Sequence, residues 1–153
     1  MDFKIQWFPG HMTKARRMME QQIKLVDVVV EMLDARVPRS STNPMLIQLL
    51  GQKPKIIALN KVDMADPAKT EAWKTTFKNN GLPVCTVDCN TGKGVKQLVS
   101  EVQKAAQPVL DKWLKRGVKN RSIRVMIVGI PNVGKSTLIN RLVGKNKVMA
   151  ADK

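Results

Sequence analysis

Gly129-Ile130-Pro131-Asn132-Val133-Gly134-Lys135-Ser136 matches the pattern G-x-x-x-x-G-K-[ST] in full. Its chemistry is the cradling of phosphate. Glycines let backbone N–H groups close around anionic oxygens without a Cβ in the way. Lys135 has the reach for β- and γ-phosphates, and the Ser136 hydroxyl suits Mg²⁺. Asn132, Val133, Gly134, Lys135, Ser136 and Thr137 are the expected phosphate-binding residues. A helix must open here so that its N-terminal N–H groups face the anion. The flanks comply: Ile123 to Val128 is an apolar, β-branched run of strand length. Leu138, Ile139 and Leu142 follow at helical spacing, with Gly144 to end the helix. The alternative is a chance glycine-rich turn.

A second constellation lies upstream. Asn60-Lys61-Val62-Asp63 follows the apolar run Lys55 to Leu59, which reads as a buried parallel strand. The Asp63 carboxylate can accept from both N1–H and the exocyclic amine of guanine and would repel the N1 lone pair of adenine. Asn60 would brace the loop, and the Lys61 stem would lie along the base. The plainer reading is that Asp63 or Asp66 caps a helix opening at Pro67. A third strand run, Leu82 to Val87, enters Asp88-Cys89-Asn90-Thr91-Gly92-Lys93-Gly94. GTP-binding domains place a small-residue loop here whose backbone N–H meets guanine O6, which makes Asp88 and Cys89 guanine-site candidates. Cys85 and Cys89 are the only cysteines and His11 the only histidine, a poor set for a metal centre. In ordinary GTP-binding domains the phosphate loop precedes the guanine loop. Here the order is reversed, which indicates circular permutation.

These segments resemble the circularly permuted GTPases that assist ribosome assembly. The resemblance runs through Trp7-Phe8-Pro9-Gly10-His11-Met12, Asp34-Ala35-Arg36, Asn43-Pro44, Asn60-Lys61-Val62-Asp63 and Gly129 to Asn140, essentially the whole chain. It implies GTP and GDP as ligands with Mg²⁺ as cofactor, hydrolysis of GTP to GDP and phosphate, and action on the large ribosomal subunit through rRNA and ribosomal proteins. It also implies a switch segment, an Asp-x-x-Gly loop and a carboxy-terminal RNA-binding domain. The sequence to Lys153 contains none of these, so residues 1–153 are expected to be one incomplete permuted GTPase domain that hydrolyses GTP slowly or not at all.

Two residues keep two readings each. A GTPase needs a group that orients the attacking water, and the family carries an apolar residue in the usual place. His11, on a turn after Pro9-Gly10, is then a catalytic candidate; otherwise it caps a helix or touches RNA. Asn132 either suits the tight turn or resembles the asparagine of GTPases that recruit K⁺ beside the phosphates. Trp7 and Phe8 are packing anchors or base-stacking surfaces.

Positioning these groups requires alternating strands and helices. The pattern predicts a basic helix over 11–25, a strand over 27–33, a helix after Asn43-Pro44 and a strand over 55–59. A helix over 67–79 closed by Gly81, a strand over 83–87 and a helix over 95–115, bent near Pro108, follow. The phosphate-loop strand and helix come last. Such alternation means an α/β fold: a three-layer P-loop GTPase fold, mostly parallel sheet with helices on both faces, circularly permuted, with 117–122 as the permutation joint.

The chain of 153 residues is long enough for one domain with a real core. Twenty-seven Lys and Arg against twelve Asp and Glu give a net charge of +15, which favours phosphate backbones. Lys14, Arg16 and Arg17 crowd the first helix, and Lys112, Lys115, Arg116, Lys119, Arg121 and Arg124 the stretch before the last strand. An acidic membrane surface fits less well, and no run reaches the roughly 18 apolar residues of a spanning helix. Two cysteines and no apolar leader are consistent with a reducing cytoplasm, and a monomer is expected. Two rivals to GTP hydrolysis are a non-catalytic rRNA-binding module that keeps a nucleotide fold, and an ATP-using P-loop protein, which Asp63 opposes.

Overall fold

The computed structural model describes residues 17, 20–36, 48–51, 53–60, 66–88, 91–119 and 121–129, together with the backbone of 3–9 and 148–150. Six strands form one sheet: β1 (Phe3–Pro9), β2 (Val28–Asp34), β3 (Lys55–Asn60), β4 (Val84–Thr86), β5 (Ile123–Gly129) and β6 (Val148–Ala150). Their spatial order is β4-β3-β2-β5-β1-β6. Every neighbouring pair is parallel.

The central strands are apolar at nearly every position because both faces are covered. Successive side chains alternate between faces. Val28, Val30 and Met32 of β2, Ile56 and Ala58 of β3, and Ile123, Val125 and Ile127 of β5 share one cluster with Leu98, Val102 and Ala106. The intervening residues face the other way. Val29, Met126 and Val128 meet Ile23 and Val26, while Leu33, Ile57 and Leu59 meet Val84, Phe77 and Leu82. Between those two clusters lies a buried ion pair, Lys55 Nζ to Glu31 Oε1 at 3.0 Å, with the Glu31 side chain 1% exposed.

Two helices flank the sheet on opposite faces. α1 (Pro67–Asn79) is capped by Asp66, whose Oδ1 accepts from Ala68 N at 2.9 Å, and Pro67 occupies the first turn. It ends where Gly81, at φ 78°, lets Leu82 N reach Phe77 O. α2 (Val95–Lys115) runs on through Pro108 as one helix. Residues 20–23 and 48–50 are also helical, in keeping with the expected first and second helices. The helix expected after the phosphate loop lies outside the described residues.

β1 and β6 lie outside the sequence-based expectation. Phe3, Ile5 and Trp7 alternate with Lys4 and Gln6, a period-two signal that the adjacent basic helix pattern obscures. β1 pairs with β5 over its full length, Phe3 opposite Ile123 through Pro9 opposite Gly129.

Candidate guanine nucleotide site

Because all the ladders are parallel, every strand releases its following loop at the same edge of the sheet, where ligands of open α/β sheets bind. β3 ends at Asn60, the first residue of the guanine-loop motif, and β5 ends at Gly129, the first glycine of the phosphate loop. β2 alone separates them. The two motifs, nearly seventy positions apart in the chain, therefore emerge side by side.

Local bonds set the base of the guanine loop. Asn60 is buried, and its carbonyl accepts from Ala35 N at 2.8 Å. Leu59 O accepts from Val87 N at 2.8 Å, which ties the exit of β4 to the end of β3. Asp34, in register with Asn60, holds the Arg36 guanidinium through three bonds of 2.7 to 3.3 Å and also accepts from Arg36 N at 2.9 Å. The hydrogen bond and charge of Asp34 raise the Arg36 pKa above its ordinary value. The segment Asp34-Ala35-Arg36 thus braces the strand end from which Lys61 to Asp63 depart. Period or spacing alone carries no sign of this role.

The cap reading of Asp63 has a specific outcome. Asp66 caps α1, so that structural need is met without Asp63.

The loop after β4 is tightly built. Asp88 N donates to Lys93 O at 2.9 Å, Gly92 N to Asp88 O at 2.7 Å, and Thr91 N to Asp88 Oδ1 at 3.4 Å. Gly94 holds φ at 86°, and a Cβ there would collide with the Thr86 carbonyl oxygen; glycine is the residue that fits. The Asp88 N–H is committed within the loop. Cys85, by contrast, is buried, and burial pushes its thiol up to about 11. Among the described residues no cluster of His, Cys, Asp and Glu is suited to a metal.

β1 adds a further loop to this edge. Pro9 is the register partner of Gly129, so β1 ends beside the last residue of β5. His11, Lys61, Val62, Asp63, Cys89, Asn132, Val133, Gly134, Lys135, Ser136 and Thr137 themselves lie outside the described residues.

The opposite edge, where the strands begin, has a different character. Asp27 bridges the starts of β2 and β5: its Oδ2 accepts from Arg121 Nη1 and from Arg124 N, both at 2.8 Å. The Arg121 guanidinium also lies 4.9 Å from the Trp113 ring centroid. Arg121, counted in sequence with a run of surface cations, is 15% exposed and structural. An open cavity of about 390 Å³ at this edge, lined by Ile23, Leu49, Leu50, Pro54 and Val109 with Lys24, Asp27 and Lys53, has no catalytic grouping. Among the described residues, no helix is long and apolar enough to cross a membrane.

Comparison with known proteins bears on the same features. Residues 124–153 match the family model described as 50S ribosome-binding GTPase. The chain is 51% identical, over 97% of its length, to ribosome biogenesis GTPase A of Priestia megaterium, and covers 52% of that protein. It is 38% identical to mitochondrial ribosome-associated GTPase 1 of Mus musculus, covering 89% of this chain and 41% of the relative. Among solved structures, GNP-bound YlqF from T. maritima superposes with a TM-score of 0.62 at 37% identity, over 88% of this chain and 49% of that one. The chain spans about half the length of the curated relatives it matches. With that identity across nearly all its residues, and with the strand ending at Asn60 ahead of the strand ending at Gly129 in one parallel sheet, the chain is similar throughout its length to the GTPases that include ribosome biogenesis GTPase A.

Proposed function

We propose that the protein binds GTP and GDP and hydrolyses GTP to GDP and phosphate as an assembly factor for the large ribosomal subunit. The observation that carries this reading is the adjacency of two loops. Asn60 ends β3 and Gly129 ends β5 at one edge of a parallel sheet, with a single strand between them. Such an arrangement suits a site for one nucleotide, with base and phosphates held at strand ends on the same edge. The names of the relatives, ribosome biogenesis GTPase A and mitochondrial ribosome-associated GTPase 1, support the assembly role.

Residues 1–153 act in this reading as one guanine nucleotide domain. Asp63 selects guanine with Asn60, Lys61 and Val62 framing it, and Cys89, following Asp88, offers its N–H to O6. Asn132 to Thr137 surround the phosphates, Lys135 supplies the charge, and Ser136 is the residue whose hydroxyl chemistry fits Mg²⁺. That ion would neutralise phosphate charge. Asn132 is the residue that would hold K⁺.

His11 orients the attacking water. The Pro9–Gly129 pairing supports this, because it ends β1, two residues before His11 in the chain, beside the first glycine of the phosphate-loop motif. His11→Ala should then slow phosphate release while GDP affinity stays the same; equal loss of both would assign His11 to structure.

Titration with fluorescent GDP and ADP, with and without Mg²⁺, tests the whole reading. Selective GDP binding is expected. Equal binding of both nucleotides, or binding of neither, would overturn it.

A further inference from the structure

We infer that the carboxy-terminal end of α2 and the turn after it form a docking surface for the phosphate backbone of double-stranded RNA, on the edge of the sheet away from the nucleotide loops. The inference takes its partner class from the assembly-factor reading and adds the place where that partner sits.

The first observation is length. α2 has 21 residues, about 31 Å at its rise per residue, whereas a seven-residue strand spans about 23 Å. α2 starts at the carboxyl edge, where Gly94 abuts Thr86 of β4. It runs back toward the start of β5, so its last turns overhang the amino edge. Burial records the overhang: Leu98, Val102 and Ala106 are its buried residues, and none follows. Leu114 is 56% exposed.

Charge is the second. Lys112, Lys115, Arg116 and Lys119 are all exposed, and none has an acidic partner among the described residues. Higher on the same helix, Lys104 pairs with Glu101 at 3.7 Å. No Asp or Glu occurs between Lys112 and Arg124. Cations near a helix carboxyl end offset its dipole, but that effect is confined to the last turn and leaves Lys119, beyond the helix, unexplained.

Rigidity is the third. Gly117, at φ 84°, closes the helix with Gly117 N on Leu114 O and Val118 N on Trp113 O, both at 3.0 Å. The Trp113 ring carries Arg116 at 5.8 Å and Arg121 at 4.9 Å. Arg121 is locked to Asp27. The four exposed cations are therefore displayed on a helix end and a following turn that are bolted to the sheet, which lowers the entropy lost on binding a fixed array of phosphates. Duplex RNA is read mainly through its backbone and shape, and such a cluster suits it.

The test is anisotropy of a labelled RNA duplex of roughly 20 base pairs, measured against salt, for the protein and for the variant Lys112→Gln/Lys115→Gln/Arg116→Gln/Lys119→Gln. Binding should weaken at least about tenfold, and the slope of log K against log salt should flatten by about 3. The charge-keeping variant Lys112→Arg/Lys115→Arg/Lys119→Arg should bind as the parent does, which separates charge from fold. An unchanged slope in the glutamine variant would overturn the proposal. So would vesicles of phosphatidylglycerol, or polyglutamate, binding this surface in place of RNA. GDP titration of the same samples should be unaffected; loss of GDP selectivity in the parent protein would sink the nucleotide reading and not this one.

Discussion

The two edges of the sheet are built from the same strands and do opposite things. At the carboxyl edge, backbone groups and small residues shape loops: Asn60 O on Ala35 N, Leu59 O on Val87 N, and Gly94 pressed against Thr86. At the amino edge, long charged side chains join segments far apart in sequence, as Asp27 does with Arg121 and Arg124 across more than ninety positions. Parallel strands explain the division. Every loop that follows a strand is delivered to one edge, which frees the other for holding strand starts together and for presenting charge. Damage to the Asp27 clamp at the amino edge should therefore appear as lost stability, and damage at the carboxyl edge as lost nucleotide binding or selectivity.

The largest expected effect tests the stability half. Asp27→Ala leaves Arg121 nearly buried without its partner and Arg124 N without an acceptor, and should cost about 3–5 kcal/mol in denaturant unfolding. Lys55→Met should also destabilise, by removing the cation that donates to the buried Glu31 carboxylate at 3.0 Å, and Glu31→Gln/Lys55→Met should recover most of the loss, since replacing both partners of a buried pair is often neutral. A fully stable Asp27→Ala protein would break the comparison.

The next effects fall on the binding half. Lys135→Ala should weaken GDP binding at least about 100-fold, near 3 kcal/mol for a lost charge-assisted contact, with little change in melting temperature. Asp63→Asn should move the preference from guanine toward xanthine by about 2 kcal/mol, the penalty for an unsatisfied polar group in the site. Competition between GDP and XDP measures it, and an unchanged preference would remove Asp63 from the base site. Gly94→Ala lies between the two classes. Its positive φ and the Thr86 carbonyl should produce both a stability loss of about 1–3 kcal/mol and weaker guanine selectivity.

The smallest effect concerns Cys85. Burial holds its thiol up to about 11 against an ordinary value of 9.0. Between those values the unfolded chain releases a proton that the folded chain keeps, so stability should decline as pH rises through that window. At pH 8 Cys85 should resist alkylation by iodoacetamide until the protein unfolds. Rapid modification of Cys85 in the native state would show that its environment is open.

Much of the frame is legible in the residues themselves. Five features of the fold follow local signals closely: the strands at 28–34, 55–60 and 123–129, α1 with its stop at Gly81, and α2. Each rests on a mostly apolar run, a cap, a glycine or a helical period. The elements that escape a sequence reading lack such autonomy. β1 is a strand because β5 offers it an edge, and β6 has three residues. Arg121 reads as one cation among many because nothing local distinguishes it; its partner Asp27 lies ninety-four positions away.

Sequence by itself determined the chemistry: which residues suit phosphate and guanine, their inverted order along the chain, and the excess of positive charge. Those properties reside in residue types and short spacings, which survive any folding of the rest. Tertiary structure alone decided adjacency. It set β3 and β5 one strand apart, paired the end of β1 with Gly129, and gave the cap of α1 to Asp66. It also split the basic run into one largely buried clamp, Arg121, and five exposed cations. The reason is that pairing across a sheet depends on which strands become neighbours, and no local stretch of chain encodes its neighbour.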